Sequence, residues 1–139
     1  MIKFHVIDVA MPDLDFVRVR EWIVRVIEMR GYGVGELHYY FCSDEALLDI
    51  NRTRLGHDFY TDICTFPLDD CVEFISSEFC ISLDRVRENA VLFGRSYENE
   101  LERVVIHGVL HLVGFDDLTD EDERRMRAME EECLKMLDN

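Results

Sequence analysis

The sequence predicts a single α+β domain, and three observations carry that prediction. Its 139 residues are the length of one domain and enough to enclose a core. Runs of β-branched and aromatic residues are interspersed with stretches of helical periodicity in the order β-α-β-α-β-β-α-α-α. No repeat, low-complexity segment or linker divides the chain.

The elements follow in order. Ile2 to Val9 alternates as a strand does and stops at Met11-Pro12-Asp13. Leu14, Val17, Ile23, Val26, Ile27 and Met29 then recur at helical intervals up to Gly31, on a helix that also carries Arg18, Arg20, Arg25 and Arg30. Leu37 to Cys42 is aromatic-rich and reads as a second strand. Ser43 or Asp44 caps a short helix to about Arg54, with Ala46, Leu47 and Ile50 as its apolar stripe. A loop from Leu55 to Tyr60 leads to a third strand, Asp62 to Phe66, ended by Pro67. Leu68 to Ser77 reads as loop and Glu78 to Leu83 as the fourth strand. Asp84 is the expected cap of a helix to about Phe93, closed by Gly94. Tyr97 to Val113 is a helix whose apolar stretch implies burial on nearly all sides. Thr119-Asp120-Glu121-Asp122 then opens an amphipathic helix with Met126, Met129, Cys133 and Leu137 inward.

Composition narrows the function classes. The net charge of -15 argues against a broad basic surface for a polyanion and against an anionic membrane, while leaving room for a local basic cleft or a bound metal. The first residues lack the apolar core of a signal peptide, and no run approaches a membrane span. Cys42, Cys64, Cys71, Cys80 and Cys133 are odd in number and form no C-x-x-C pair, so reduced, mostly buried thiols and a cytoplasmic protein are expected.

The chemistry concentrates in His107-Gly108-Val109-Leu110-His111-Leu112-Val113-Gly114-Phe115-Asp116-Asp117. Histidines at i and i+4 share one helix face. Gly114 suits a left-handed cap that turns the chain back, bringing Asp117 toward the imidazoles. Two nitrogens and a carboxylate oxygen leave a fourth tetrahedral position open, as a catalytic zinc requires. A lone histidine on an apolar helix is ordinarily a satisfied core residue, but two on the most buried helix are costly without a shared partner. Gly108 inside that helix costs about 1 kcal/mol relative to alanine, so close approach of a ligand or another backbone is expected there. The spacing H-x-x-x-H-x-x-G-x-x-(H or D) is the ligand frame of metzincin proteases, except that Gly108 replaces their glutamate base.

HGVLHLVGFDD closely resembles the signature of the YbeY family of bacterial metal-dependent endoribonucleases, H-G-x-L-H-L-x-G-[YF]-D-H. Ile50-Asn51 through Thr61-Asp62-Ile63-Cys64-Thr65-Phe66-Pro67 looks like that family's second block, and Ser82-Leu83-Asp84-Arg85-Val86 like its strand-to-helix passage. The resemblance spans essentially residues 35 to 137. It implies a zincin-like domain with a four-stranded mixed sheet packed with helices. It further implies one Zn2+ per chain and single-strand-specific cleavage of ribosomal RNA, in maturation of the small-subunit RNA 3′ end and in ribosome quality control. The implied partners are RNA and the ribosome or its proteins, with neither DNA nor membrane. Carried over, His107 and His111 are the first two metal ligands, and His107 is part of the catalytic centre.

Two positions depart from the family pattern. Asp117 stands where the third histidine ligand is usual; its charge leaves a ligated zinc near +1, predicting a less acidified water and tolerance for harder metals such as manganese. Asp116 matches the family aspartate beside that ligand, and the two aspartates could exchange roles. Leu55 falls where most of the family has an RNA-contacting arginine, and Arg52 or Arg54 is the candidate replacement in substrate binding.

No general base is assignable with the same force. Asp62 is the candidate, with capping of the strand end as its competing role, and His57 is a second loop candidate. Arg18, Arg20, Arg25, Arg30, Arg52 and Arg54 either gather into a basic face or pair with acids such as Glu21 and Glu28. The acids of the last helix, Glu130, Glu131 and Glu132 among them, read as solubility or as a surface for a basic ribosomal protein. Three classes compete: the metalloendoribonuclease, a zincin-like metallopeptidase, and a non-catalytic metal-containing ribosome-assembly factor.

Overall fold

A computed structural model describes residues 1–56 and 60–137. Its elements are β1 (Ile2–Val6), α1 (Phe16–Met29), β2 (Gly33–Cys42), α2 (Asp44–Ile50), a π-helical turn (Asn51–Leu55), β3 (Ile63–Pro67), β4 (Phe74–Ser82), α3 (Leu83–Leu92), α4 (Tyr97–Leu112) and α5 (Asp120–Leu137). The strands form one sheet in the order β1-β2-β4-β3, with β3 antiparallel on the edge and the other pairings parallel. This is the mixed four-stranded α+β domain that the sequence predicts.

The apolar pattern explains the layering. Alternate strand residues Phe4, Tyr39, Phe41, Phe79 and Ile81 face α1 and α4 in the main core. The opposite alternation places Cys42, Cys64 and Cys80 with Leu47 of α2 in a smaller cluster on the other side. Helix α4 packs against β3, β4, α1, α3 and α5. Its residues Glu100 to Ile106 and Gly108 to Leu110 are all buried, as its composition requires.

Several boundaries differ from the sequence reading. β1 stops at Val6 because Asp8 turns its carboxylate to the Ser43 backbone and hydroxyl instead of extending the ladder. The inward stripe of α1 is Val19, Trp22, Ile23, Val26 and Ile27; Val17, two residues off that stripe, and Met29 in the last turn are exposed. β2 begins at Gly33 and carries a bulge between Val34 and Leu37, where Gly35 lets Ser76 come close: a Cβ on Gly35 would lie 2.1 Å from the Ser76 Oγ. Phe74 to Ser77, expected as loop, belong to β4 because β2 and β3 supply hydrogen-bonding partners on both sides. α2 ends at Ile50 and gives way to the π-helical turn. Ser82, not Asp84, caps α3 by accepting from the Arg85 N–H at 3.1 Å, while Asp84 accepts from the Asp44 N–H at 2.9 Å. All five cysteines are free thiols, four of them buried and Cys71 exposed.

Candidate metal centre and active site

The site forms where the C-terminal half of α4 meets β3 and the π-helical turn. Asn51, Leu55, Thr61, Ile63, Cys64, Thr65, Pro67, His107, His111, Leu112 and Asp117 line a pocket of about 480 Å³. Three local devices assemble it. One helical turn of α4 sets His107 and His111 on one face. Gly114, with φ of +111°, reverses the chain after the helix so that Asp117 returns. The π-helical turn, ended by Gly56 in the left-handed region at φ +66°, sets Asn51 and Leu55 on the pocket wall.

The His107 Nε2 lies 3.8 Å from the Asp117 Oδ2. Donors at the usual distance from a tetrahedral zinc stand about 3.4 Å apart, so this pair is close to ligand spacing. His111 shares the pocket wall and is exposed. Among the described residues no three His, Cys, Asp or Glu side chains already converge on one point as a metal cluster. Asp117 sits on the exposed connection between α4 and α5. Two imidazoles and a carboxylate on one pocket wall are donor types that suit a divalent metal.

Behind His107 lies a buried charge network that the sequence reading missed. The His107 Nδ1 is 2.6 Å from the Glu130 Oε2 of α5. Arg103 donates from Nη1 to the other Glu130 oxygen at 3.0 Å, and from Nε and Nη2 to the Glu100 carboxylate at 2.9 and 2.7 Å. Glu100, Arg103 and Glu130 are each at least 95% buried, with exposures of 0%, 4% and 1%. Burial pushes the Glu130 carboxyl up, but the His107 hydrogen bond and the Arg103 charge outweigh it and hold it below the usual range. The same opposition, burial against two carboxylates, leaves Arg103 raised. Glu130 was grouped with the soluble acids of α5. A signal was available: it falls on the stripe of Met126, Cys133 and Leu137, where a charge needs a partner.

The remaining candidates separate. Asp62 is not on the pocket wall; its Oδ2 lies 3.7 Å from the Arg103 Nη2 and its carbonyl accepts from the Ser82 N–H at 2.9 Å. Arg52 and Arg54 lie on the π-helical turn between the lining residues Asn51 and Leu55 but are not themselves on the pocket wall, and Arg54 is stacked 3.9 Å over Phe66 and 3.8 Å from Glu78. Arg18 reaches the Leu137 carbonyl, Arg20 the Ile2 carbonyl at 3.0 Å, and Arg30 covers the Phe115 ring. His57 lies outside the described residues. At Gly108 the close approach is made by side chains of the sheet and not by another backbone. A Cβ there would stand 2.7 Å from two ring carbons of Phe79. Position 108 thus faces the sheet, where a side chain would meet Phe79 and Ile63 at once.

Fold and site together define an α+β protein with a histidine-pair pocket on its most buried helix. Residues 9–138 match the family model described as Endoribonuclease YbeY. The chain is 46% identical to the endoribonuclease YbeY of Porphyromonas gingivalis over 98% of this chain and 89% of that one. It is 44% identical to the corresponding protein of Phocaeicola vulgatus, over 99% of both chains, and 43% identical to that of Bacteroides thetaiotaomicron, over 97% and 98%. A solution structure of a Thermotoga maritima protein superimposes with a TM-score of 0.69 at 26% identity, over 99% of this chain and 89% of that one. The chain belongs to the YbeY endoribonuclease family.

Proposed function

We propose that this protein is a metal-dependent endoribonuclease that cleaves single-stranded RNA in the cytoplasm. Its proposed substrate is ribosomal RNA, at the 3′ end of the small-subunit species and in ribosome quality control. The observation that carries the reading is the single pocket shared by His107, His111 and Asp117 in a chain of this family. Those three residues would hold one Zn2+. The bound metal supplies polarisation of a phosphoryl oxygen and a water acidic enough to attack phosphorus.

The chain's own residues do the rest. Arg52 and Arg54, on the turn that contributes Asn51 and Leu55 to the pocket, would provide positive charge for phosphates in an acidic chain. Leu55, Ile63, Pro67 and Leu112 give the pocket an apolar wall against which a base can lie. Cys64 donates to the Asn51 Oδ1 at 2.6 Å, and Asn51 donates to the Thr61 hydroxyl at 3.1 Å, which holds the π-helical turn against β3. With its Oδ2 3.7 Å from the Arg103 Nη2, the part of Asp62 is to steady that arginine.

The peptidase reading loses support because position 108 is glycine, packed against Phe79 and Ile63, and supplies no carboxylate base. The test offers single-stranded RNA, duplex RNA and casein to chelator-treated protein and to the same protein after addition of zinc or manganese. Metal-restored cleavage of single strands alone is expected. Casein cleavage would favour the peptidase, and RNA binding without cleavage would favour an assembly factor.

A further inference from the structure

The geometry points to Glu130 as a positioning residue that locks His107 in its Nδ1–H tautomer and so keeps the Nε2 lone pair in the pocket. This rests on the proposed role of His107 as a metal ligand. The two oxygens of Glu130 have separate duties: Oε1 accepts from the Arg103 Nη1 at 3.0 Å, and Oε2 lies 2.6 Å from the His107 Nδ1. Arg127, 3.6 Å from Oε1, adds a second cation on the same side. An ionised carboxylate has only acceptors, so a short contact to an imidazole nitrogen requires the hydrogen on that nitrogen. In the neutral ring the other nitrogen, Nε2, is then the free lone pair, and it is the one that faces Asp117 and the pocket.

The surrounding charges explain why the carboxylate stays put. Glu130 is buried on α5, and Arg103 is clamped from the far side by the bidentate Glu100, so neither partner can swing to solvent. Asp62, 3.7 Å from the Arg103 Nη2, closes the network on the β3 side. Two helices, α4 and α5, and the residue that precedes β3 thereby fix the orientation of one imidazole. Carboxylate partners of ligating histidines raise ligand basicity and set ring orientation, and their loss costs about 10- to 100-fold in metal affinity.

Glu130→Gln makes the inference testable. The single amide oxygen stays with Arg103, the stronger donor, and the amide NH2 then faces the His107 Nδ1. That nitrogen must accept, which places the hydrogen on Nε2 and turns the lone pair away from the pocket. The measurement is long-range 1H–15N correlation on 15N-labelled, chelator-treated protein at pH 8, with His107 assigned by its loss in His107→Gln. Wild type is expected to show Nδ1–H, and folded Glu130→Gln to show Nε2–H with zinc affinity lower by about 10- to 100-fold in calorimetric titration. A wild-type His107 protonated on Nε2, or on both nitrogens, overturns the inference even if the variant does not fold. So does a folded variant with unchanged tautomer or unchanged zinc affinity. The tautomer is read without metal or RNA, so failure of RNA cleavage would leave this result standing, and the converse holds.

Discussion

Gly108→Ala is the sharpest probe of how helix α4 is seated on the sheet. In an unconstrained helix the change stabilises by about 1 kcal/mol. Here the new methyl would stand 2.7 Å from the Cδ1 and Cε1 of Phe79 and 3.0 Å from the Cδ1 of Ile63. These contacts fall about 1 Å inside the usual carbon–carbon separation of 3.5–4.0 Å. The ring has little room to give: Phe79 is fully buried and stacked on Tyr39 with centroids 4.5 Å apart. Tyr39 is itself tied to α4 through its hydroxyl, which donates to the Val105 carbonyl at 3.0 Å. Overpacking of such a site costs about 1–3 kcal/mol, and the rigidity of both rings places it in the upper half of that range. Subtracting the gain in helix propensity leaves a net loss of about 1–2 kcal/mol.

Urea unfolding followed by the single tryptophan measures that loss, because Trp22 is buried and donates to the Cys133 carbonyl at 2.7 Å across the α1–α5 interface. A second substitution, Phe79→Leu, makes room for the methyl, so the double variant should lose less than the sum of the single losses. A Gly108→Ala protein as stable as wild type, or additive with Phe79→Leu, would refute the close-packing account of this glycine.

Three further outcomes follow from the site and the core. Asp117→His should retain close to the zinc content of wild type while Asp117→Ala falls far below it; equal contents by elemental analysis would remove Asp117 from the ligand set. Because the folded Glu130 carboxyl lies below its ordinary value of 4.5, its contribution to stability is complete above that pH and disappears as pH falls through the folded value. Acid unfolding curves below pH 4.5 should therefore be steeper for wild type than for Glu130→Gln, and parallel curves would contradict the shift. Burial pushes the Cys42 thiol up to about 12 and those of Cys80 and Cys133 to about 11, and raises Cys64 as well. A thiol reagent at pH 8 should thus modify one cysteine rapidly in the native protein and none in Cys71→Ser; rapid reaction of a second would show that one of the buried thiols is accessible.

Much of this protein is written in local pattern. The order of elements, the burial of α4 and the reversal at Gly114 follow from periodicity and from a residue that tolerates positive φ, both of which act over a few positions. The i, i+4 histidines with the returning Asp117 are legible for the same reason, since helix geometry and the reversal at Gly114 put them on one pocket. The extra length of β4 was not, because Ser76 and Ser77 have weak strand preference and pair only when β2 and β3 arrive from elsewhere in the chain. A glycine inside a buried helix signals a close approach, but that the approaching group is a ring from β4, 29 positions earlier, is set by the packing of α4 on the sheet. Glu130 is the clearest case. The sequence determined its place on the inward stripe of α5, but only the packing of α5 across α4 decided that it would meet Arg103 and His107. A charge can be buried where a tertiary contact returns what desolvation removes, and no local pattern specifies that contact.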